Sequence, residues 1–134
     1  MISQYGVLAY RLGDSDGLQI LLVTSRDTGR WIAPKGNPMR LRQGHETAAE
    51  EAFEEAGVRG EVGPEPIGRY RYLKRRKLLP DVTAEVLVYP LRVEAVLDEW
   101  PEAGQRRRQW FSREEAAAVV AEDGLKRLIL DFAP

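Results

Sequence analysis

Residues 36–58 of the sequence, GNPMRLRQGHETAAEEAFEEAGV, join a loop to a strong helix pattern. Residues 47–56 contain neither Gly nor Pro and are mostly Ala and Glu, both strong helix formers, and Gly57 stands where a left-handed C-terminal cap is expected. The spacing predicts a helix over residues 47–56, with successive side chains about 100° apart. Its apolar face is expected to consist of Ala49, Ala52, Phe53 and Ala56. The opposite face is expected to carry three clustered carboxylates, those of Glu51, Glu54 and Glu55.

These acids are electrostatically unfavourable in that position. No Lys or Arg lies between Thr47 and Gly57, so the helix contains like-charge pairs four residues apart, each costing about 0.2–0.5 kcal/mol. The acids also crowd the C-terminal half, where the helix dipole is already negative. A solvated acidic face is one interpretation of such a helix. The other is a Mg²⁺ or Mn²⁺ site, because these hard cations bind carboxylate oxygens together with water and phosphate.

The spacing of this stretch resembles the box of the Nudix hydrolases. That box is Gly, five residues, Glu, seven residues, Arg-Glu, an aliphatic residue, any residue, Glu-Glu, any residue, Gly and an aliphatic residue. Its places are filled here, without insertion or deletion, by Gly36, Glu51, Ala52, Glu54, Glu55, Gly57 and Val58. Two charges are inverted, since Arg42 stands where the family has Glu and Glu50 stands where it has Arg.

The double inversion leaves two interpretations open. If Arg42 in the loop faces Glu50 on the helix, their contact survives with reversed polarity, and both residues keep a structural role. Otherwise the box lacks the arginine that orients its carboxylates, and catalysis is slow or absent.

The resemblance implies an α+β protein with the Nudix fold, a mixed β-sheet sandwiched between helices (α/β/α). It implies metal ligands at Glu51, Glu54, Glu55 and the carbonyl of Lys35, with Glu51 or Glu54 as the catalytic base. Gly36 would allow backbone groups to approach a metal or phosphate. Neutralising Glu55 is expected to lower turnover, and to leave stability equal or improved because one repelling charge is removed.

Flanking segments are similar to the diphosphoinositol polyphosphate and diadenosine polyphosphate hydrolase branch of that family. The matching residues are 21–23, 25–26, 30–31, 54–60, 97–100 and 106–111. In that branch basic residues around the cleft bind the phosphorylated part of the substrate. The substrate-binding candidates are therefore Arg26, Arg30, Lys35, Gly36, Arg106, Arg107 and Arg108.

The rest of the chain predicts strands around this loop and helix. Alternating and β-branched residues indicate strands at 5–12, 18–24, 31–33, 58–62, 66–73, 82–93 and 106–111, with a hairpin turn at 13–17. Pro90 is expected at a bulge or an exposed end. Ser112 and Glu115 form a capping box for a first terminal helix, and residues 125–132 predict a second.

Two further charged features allow either of two interpretations. The basic run at 74–77 is a solvated loop or a set of cations that reach the acidic site and bind polyphosphate. Glu85 interrupts the apolar strand at 82–93. It is expected either to lie on the solvent-exposed face of the sheet or to supply a further metal ligand from across the sheet.

Length and composition predict a single domain covering residues 1–134. Apolar runs are too short to cross a bilayer, and a net charge of −1 argues against a general nucleic-acid binder. The chain has no Cys, and residues 1–14 show no basic segment leading into an apolar one, so a cytoplasmic location is expected.

The expected activity is metal-dependent hydrolysis of a phosphoanhydride bond in a nucleoside or inositol diphosphate linked to a further group, a small-molecule polyphosphate. One alternative is a catalytically weak or inactive domain that senses a nucleotide. Another is an RNA 5′-end pyrophosphohydrolase that uses the basic run at 74–77. A zinc protease site is excluded because His45 is the only histidine.

Overall fold

A computed structural model of the chain describes residues 1–13 and 17–134. The strands are β1 (Ile2–Gly13), β2 (Gly17–Thr24), β3 (Trp31–Ile32), β4 (Lys35–Gly36), β5 (Val58–Val62), β6 (Gly68–Lys74), β7 (Val82–Val96) and β8 (Arg108–Ser112). The helices are α1 (Gly44–Ala56), α2 (Arg113–Val119) and α3 (Asp123–Asp131). Residues 14–16 of the predicted hairpin turn lie outside the described residues, although β1 and β2 pair on either side of them.

The sheet is mixed and is built around β1 and β7. These two strands run parallel, with Ile2 opposite Ala84 and Tyr10 opposite Arg92. β2 pairs antiparallel with β1 and carries β8 and β3 further out. β6 and β5 pair antiparallel with β7. The prediction that residues 82–93 form a central strand is therefore confirmed.

Pro90 lies between the pairing regions of two shorter strands. The β6 ladder ends at Val88 and the β5 ladder begins at Leu91, so a residue without an N–H falls between them. The register irregularity on this side of β7 occurs between Arg59 and Gly60 of β5. The bulge expected at Pro90 is thus found farther along β7, where Arg59 pairs with Ala95 and Gly60 pairs with Val93.

Helices cover both faces of the sheet because its central strands alternate between two apolar cores. Leu8 and Ile20 point into a core with Leu125 and Ile129 of α3. Their neighbours, including Leu21, point into a second core with the alanines of α1. The predicted α/β/α sandwich is confirmed. Within the described residues, no helix is both long and apolar enough to cross a membrane.

Helix α1 contains the predicted range and starts earlier. The Gln43 backbone N–H donates to Glu46 Oε1 at 2.7 Å, which stabilises the first turn, and Gly57 ends the helix with φ 65° and ψ 37°. The predicted capping box of the first terminal helix is confirmed, since the Glu115 N–H donates to Ser112 Oγ at 3.1 Å, and the second terminal helix begins two residues before its predicted range.

The predicted division of α1 into an acidic and an apolar face is wrong for Glu55. This residue is only 5% exposed and lies with Ala48, Ala52 and Ala56 on the buried side. Ala49 and Phe53, expected in the core, are half-buried. Compared with the prediction, the helix is rotated about its axis so that Glu55 faces inward, where it meets the polar partners described below. A pattern of apolar residues alone does not reveal such partners.

Candidate active site

Gly36 brings the loop before α1 against the helix. β4 pairs antiparallel with β1, with Tyr5 opposite Gly36 and Gly6 opposite Lys35. A Cβ atom at Gly36 would overlap the Glu51 carboxyl group. The absence of a side chain at Gly36 allows this approach, which places the Lys35–Gly36 backbone beside the Glu51 carboxylate.

Glu55 is a buried acid with cationic and backbone partners. The Lys35 N–H donates to its Oε1 at 3.3 Å, and Arg106 Nη2 lies 3.4 Å from its Oε2. Burial raises the pKa of Glu55, while the charges of Arg106 and Lys35 lower it by less. The net shift is upward, so the charged form of Glu55 is disfavoured in this environment.

Glu51 has the most strongly perturbed carboxyl group of the helix. Burial, followed by the negative charges of Glu55 and Glu54, raises its pKa to about 8, and a side-chain hydrogen bond with Glu55 adds to the shift. In the absence of a cation Glu51 therefore holds a proton at neutral pH. A cation bound beside it would favour the charged form instead.

Glu54 occupies a different side of α1. Burial, then the charges of Glu50 and Glu102, raise its pKa, and its backbone carbonyl accepts a hydrogen bond from the Glu102 N–H at 3.0 Å. Among the described residues, no group of three or more His, Cys, Asp or Glu side chains is arranged to hold a metal ion by itself. Glu51 and Glu55 line the same cavity, whereas Glu54 does not line it although its charge acts on Glu51.

Arg106 is the internal cation of this region. Its side chain is 7% exposed and contacts three groups besides solvent: Glu55, Glu102 Oε1 at 2.8 Å and the Thr24 carbonyl at 3.0 Å. Arg26 is 59% exposed and lies 4.0 Å from the same Glu102 oxygen. Arg106 is therefore held by three internal partners, whereas Arg26 is mostly exposed and donates to Gln105 Oε1 at 3.1 Å.

Arg107 and Arg108 lie outside the cleft described next, so their predicted role in substrate binding stays a prediction that the geometry does not support. Arg108 Nη1 donates to the Ala56 carbonyl at 2.9 Å and Nη2 to the Leu97 carbonyl at 2.7 Å, while its guanidinium lies 3.8 Å above the Trp100 ring. Arg107 lies over Trp31, at 5.5 Å from the ring centre. Only Arg106 of the three lines the cleft described next.

A cleft with two adjoining lobes surrounds these groups. The carboxylate lobe, about 330 Å³, is lined by Glu51 and Glu55 together with Gly36, Asn37 and Glu102. The basic lobe, about 910 Å³, is lined by Arg30, Arg71 and Arg75 together with Ala121 and Glu122. The residues that line both lobes are Arg26, Lys35, Tyr72, Lys74 and Arg106.

The first two residues of the basic run at 74–77 reach the cleft, whereas Arg76 and Lys77 do not line it. Lys74 and Arg75 line the lobe, next to Arg26 and Arg30 from the loop after β2. Cations from distant parts of the chain thus meet at one cavity. This arrangement attracts anions to the entrance of the carboxylate lobe.

Glu85 does not join the carboxylates. It accepts hydrogen bonds from Arg69 Nη1 at 3.3 Å and Arg71 Nε at 3.1 Å, and it lines neither lobe of the cleft. The geometry therefore favours a structural role for Glu85 over the predicted role as a metal ligand, because two guanidinium groups already offset its charge.

Arg42 and Glu50, whose charges are inverted relative to the family box, face each other. Arg42 Nη1 lies 3.6 Å from Glu50 Oε2, and both side chains are partly exposed. The first interpretation of the inversion is therefore the one that the structure supports: the contact between loop and helix survives with reversed polarity.

Four polar residues of the carboxylate lobe, Gln4, Asn37, Tyr72 and Glu102, were not among the site residues predicted from the sequence. Gln4, only 4% exposed, donates to Asn37 Oδ1 at 3.1 Å and accepts from the Tyr72 hydroxyl at 2.6 Å. Glu102 lies in the loop before β8, where the sequence pattern does not indicate a site residue. Gln4, Gly6 and Leu8 face the same side of β1, because side chains alternate along a strand, and Leu8 enters the core on that side. A polar residue on a core-facing position is the sequence signal that could have identified Gln4.

Comparison with known proteins agrees with this geometry. No family model matches the chain. Diphosphoinositol polyphosphate phosphohydrolase 2 of Rattus norvegicus is 32% identical over 136 residues, which cover 95% of this chain and 70% of that protein. Nudix hydrolase 16, mitochondrial, of Arabidopsis thaliana is 30% identical over an alignment that covers 91% of this chain and 73% of that protein. The chain belongs to the Nudix hydrolase family. Nudix hydrolase 12, mitochondrial, of Arabidopsis thaliana is 28% identical over 118 residues, 86% of this chain and 58% of that protein. The chain thus spans less than two thirds of that Nudix relative.

The fold agrees with solved Nudix structures. The binary complex of the C. elegans Ap4A hydrolase superposes with a TM-score of 0.70 at 16% sequence identity, covering 97% of this chain and 93% of that one. At this identity the match shows the Nudix fold alone.

Proposed function

We propose that this Nudix domain hydrolyses a phosphoanhydride bond in a nucleoside or inositol diphosphate linked to a further group, with Mg²⁺ or Mn²⁺ as cofactor. The observation that carries the proposal is the joined cleft: carboxylates of α1 open into one lobe, and cations surround the adjoining lobe. Acids that bind a cation and cations that bind phosphate are both needed to hold a diphosphate.

The carboxylate lobe fits a partly hydrated divalent cation. Glu51 and Glu55 supply adjacent hard oxygen ligands, and burial, followed by the charges of the neighbouring acids, raises the pKa of Glu51 to about 8, an environment that a bound cation would relieve. The Lys35 carbonyl, water and substrate phosphate would complete the ligand set, since Mg²⁺ usually keeps several waters. When bound, the cation supplies positive charge to the phosphoryl oxygens and lowers the pKa of a coordinated water.

The chain's own residues then have distinct tasks. Arg26, Arg30 and Lys35 bind phosphate oxygens by charge-assisted hydrogen bonds. Arg106, held by Glu102 and Thr24, orients Glu55. Glu51 is preferred to Glu54 as the general base, because Glu51 lines the carboxylate lobe and its pKa lies near neutral pH.

One screen tests the proposal. The purified protein, with Mg²⁺, Mn²⁺ or EDTA, is assayed against dinucleoside polyphosphates, nucleoside triphosphates, ADP-ribose and diphosphoinositol phosphates, with products separated by chromatography. Triphosphorylated RNA is included because Lys74 and Arg75 line the basic lobe. Metal-dependent release of phosphate products from at least one substrate is expected.

Glu55→Gln should lower turnover of the best substrate by about 100-fold or more, the usual range for losing an acid–base or electrostatic group of an active site. Glu114→Gln, an exposed acid on α2, is the matched control and should keep wild-type turnover. Near wild-type turnover in Glu55→Gln would contradict the proposed site.

A second candidate is a nucleotide-binding domain without turnover. It is favoured by the ion pair between Arg106 and Glu55, in which both side chains are 7% exposed, because an internal cation already neutralises one carboxylate. Metal-independent binding of nucleotides without any product release would support this candidate over the hydrolase.

A further inference from the structure

Glu122 places an unpaired acceptor in the basic lobe. It lies between α2 and α3, at the N-terminal cap position of α3, and lines the lobe beside Ala121. Its Oε1 atom is buried and has no hydrogen-bond partner within residues 1–13 and 17–134. Because buried carboxylate oxygens are almost always hydrogen-bonded, a donor from outside the chain is expected at this position.

Lys35 connects Glu122 to the carboxylate lobe. The charges of Glu55 and Glu122 both raise the pKa of Lys35, against a larger lowering by burial, so the ammonium group lies near both acids. Lys35 also lines both lobes, and its Nζ lies 4.8 Å from the centre of the Tyr72 ring. A diphosphate held beside Lys35 would therefore extend its attached group into the lobe that contains Glu122.

The charge of Glu122 restricts what that group can be. The other ionisable groups that line the lobe are mainly cations, which accept phosphates. A carboxylate repels a phosphate at its own position and accepts a hydrogen bond from a neutral hydroxyl or amino group. The lobe thus combines general attraction for anions with one position that selects an uncharged donor.

We propose that Glu122 is a specificity-determining residue that accepts a hydrogen bond from a neutral donor, a sugar hydroxyl or a base amino group, on the group attached to the diphosphate. The inference rests on the proposed function for the position of the diphosphate. It favours nucleoside-containing polyphosphates over a ring that carries a phosphate at every position.

Isothermal titration calorimetry in Mg²⁺ with two unhydrolysable ligands tests the inference. α,β-Methylene-ADP carries a ribose and an adenine, whereas methylenediphosphonate carries the diphosphate group alone. Glu122→Ala should weaken binding of the first about tenfold and change that of the second less than twofold, because only the first ligand offers a neutral donor. Glu122→Gln keeps an acceptor oxygen and should retain most of the affinity. Glu114→Ala is the control.

Two related ligands identify the donor. The 2′,3′-dideoxy form of the methylene analogue lacks the sugar hydroxyls, and the inosine form lacks the amino group. The ligand that lacks the relevant donor should bind wild-type protein about as weakly as the parent ligand binds Glu122→Ala. Either result, a sugar hydroxyl or a base amino group as the donor, supports the inference.

Three results would overturn it: unchanged binding of α,β-methylene-ADP to Glu122→Ala, equal weakening of both diphosphate ligands, or loss of affinity in Glu122→Gln as large as in Glu122→Ala. If Glu122→Ala fails to fold, the comparison of wild type with Glu122→Gln and with the two donor-lacking ligands decides instead. Because no ligand is hydrolysed, the test stands apart from turnover. Turnover without this selectivity rejects only the role of Glu122, whereas absence of product release from every substrate of the screen rejects the proposed function itself.

Discussion

Glu51 should make the metal-free protein sensitive to pH. Its pKa rises from 4.5 to about 8 on folding, so its protonated form stabilises the fold. This contribution is complete below about pH 4 and is lost as pH rises through 8, because the unfolded chain releases the proton at lower pH. In EDTA, we expect the Tm of the wild type to fall more steeply between about pH 5 and 9 than that of Glu51→Gln.

Thermal unfolding across this pH range measures the difference. Glu61→Gln, an acid on β5 with a side chain that is 73% exposed, serves as the control and should follow the wild-type curve. Parallel curves for the wild type and Glu51→Gln would contradict the assigned environment of Glu51.

Glu55 shows how an individual contact changes an expectation drawn from charge spacing. Counting repelling glutamates predicts that Glu55→Gln leaves stability equal or improved. In the structure the substitution would relieve the burial of a charge and also remove an anion from Arg106, whose remaining acidic partner is Glu102. These effects oppose each other, so Glu51→Gln is the clearer test of repulsion.

At the scale of elements, Arg108, the first residue of β8, connects the C-terminal end of α1 to the segment after β7. Its guanidinium bonds the carbonyls of Ala56 and Leu97 and stacks on Trp100. We expect Arg108→Ala to lower the free energy of unfolding by about 2–4 kcal/mol, since hydrogen bonds from a charged group contribute about 1.5–3 kcal/mol each. Arg108→Lys should recover only part of this, because an ammonium group lacks the planar fork.

Denaturant unfolding measures the loss, and KM below the unfolding temperature separates stability from substrate binding. Arg107→Ala is the matched control on the neighbouring residue and should unfold near wild type. A raised KM with unchanged stability in Arg108→Ala would restore the original prediction of a substrate contact.

The contact between loop and helix through Arg42 and Glu50 can be tested by exchanging its charges. Arg42→Glu or Glu50→Arg alone places like charges 3.6 Å apart, the present N–O separation, and should destabilise the protein by about 0.2–1 kcal/mol. The double exchange should recover stability, with turnover within about twofold of wild type. A double-mutant cycle measured by denaturant unfolding gives the coupling, and purely additive effects would show that the pair does not interact.

The elements near the site were predictable to different degrees. Composition and the position of Gly57 were enough to locate α1, because both act locally along the chain. The choice among Arg106, Arg107 and Arg108 was not predictable, because it depends on how β8 pairs with β2, where Val23 lies opposite Arg108. The burial of Glu55 depends on that same long-range pairing, since Arg106 precedes the strand.

At the scale of the molecule, the cleft gathers β4, α1, β6 and the loops before β3 and β8. A cation bound there should link these elements and stabilise the whole fold, by about 2.7 kcal/mol at a free concentration 100 times Kd. We expect the Tm to rise on titration with Mg²⁺ in scanning calorimetry. The double variant Glu51→Gln/Glu55→Gln should show no such rise, and an equal rise in the variant would contradict the assigned ligands.

The parallel pairing of β1 with β7 has a consequence for biosynthesis. Ile2 meets Ala84 and Tyr10 meets Arg92, so the first strand leaves the ribosome long before the strand that completes its edge. Until then, unpaired backbone groups of β1 are available to other nascent chains. Because Arg106 emerges later still, Glu55 of α1 acquires its internal cation only after the loop before β8 has been synthesised.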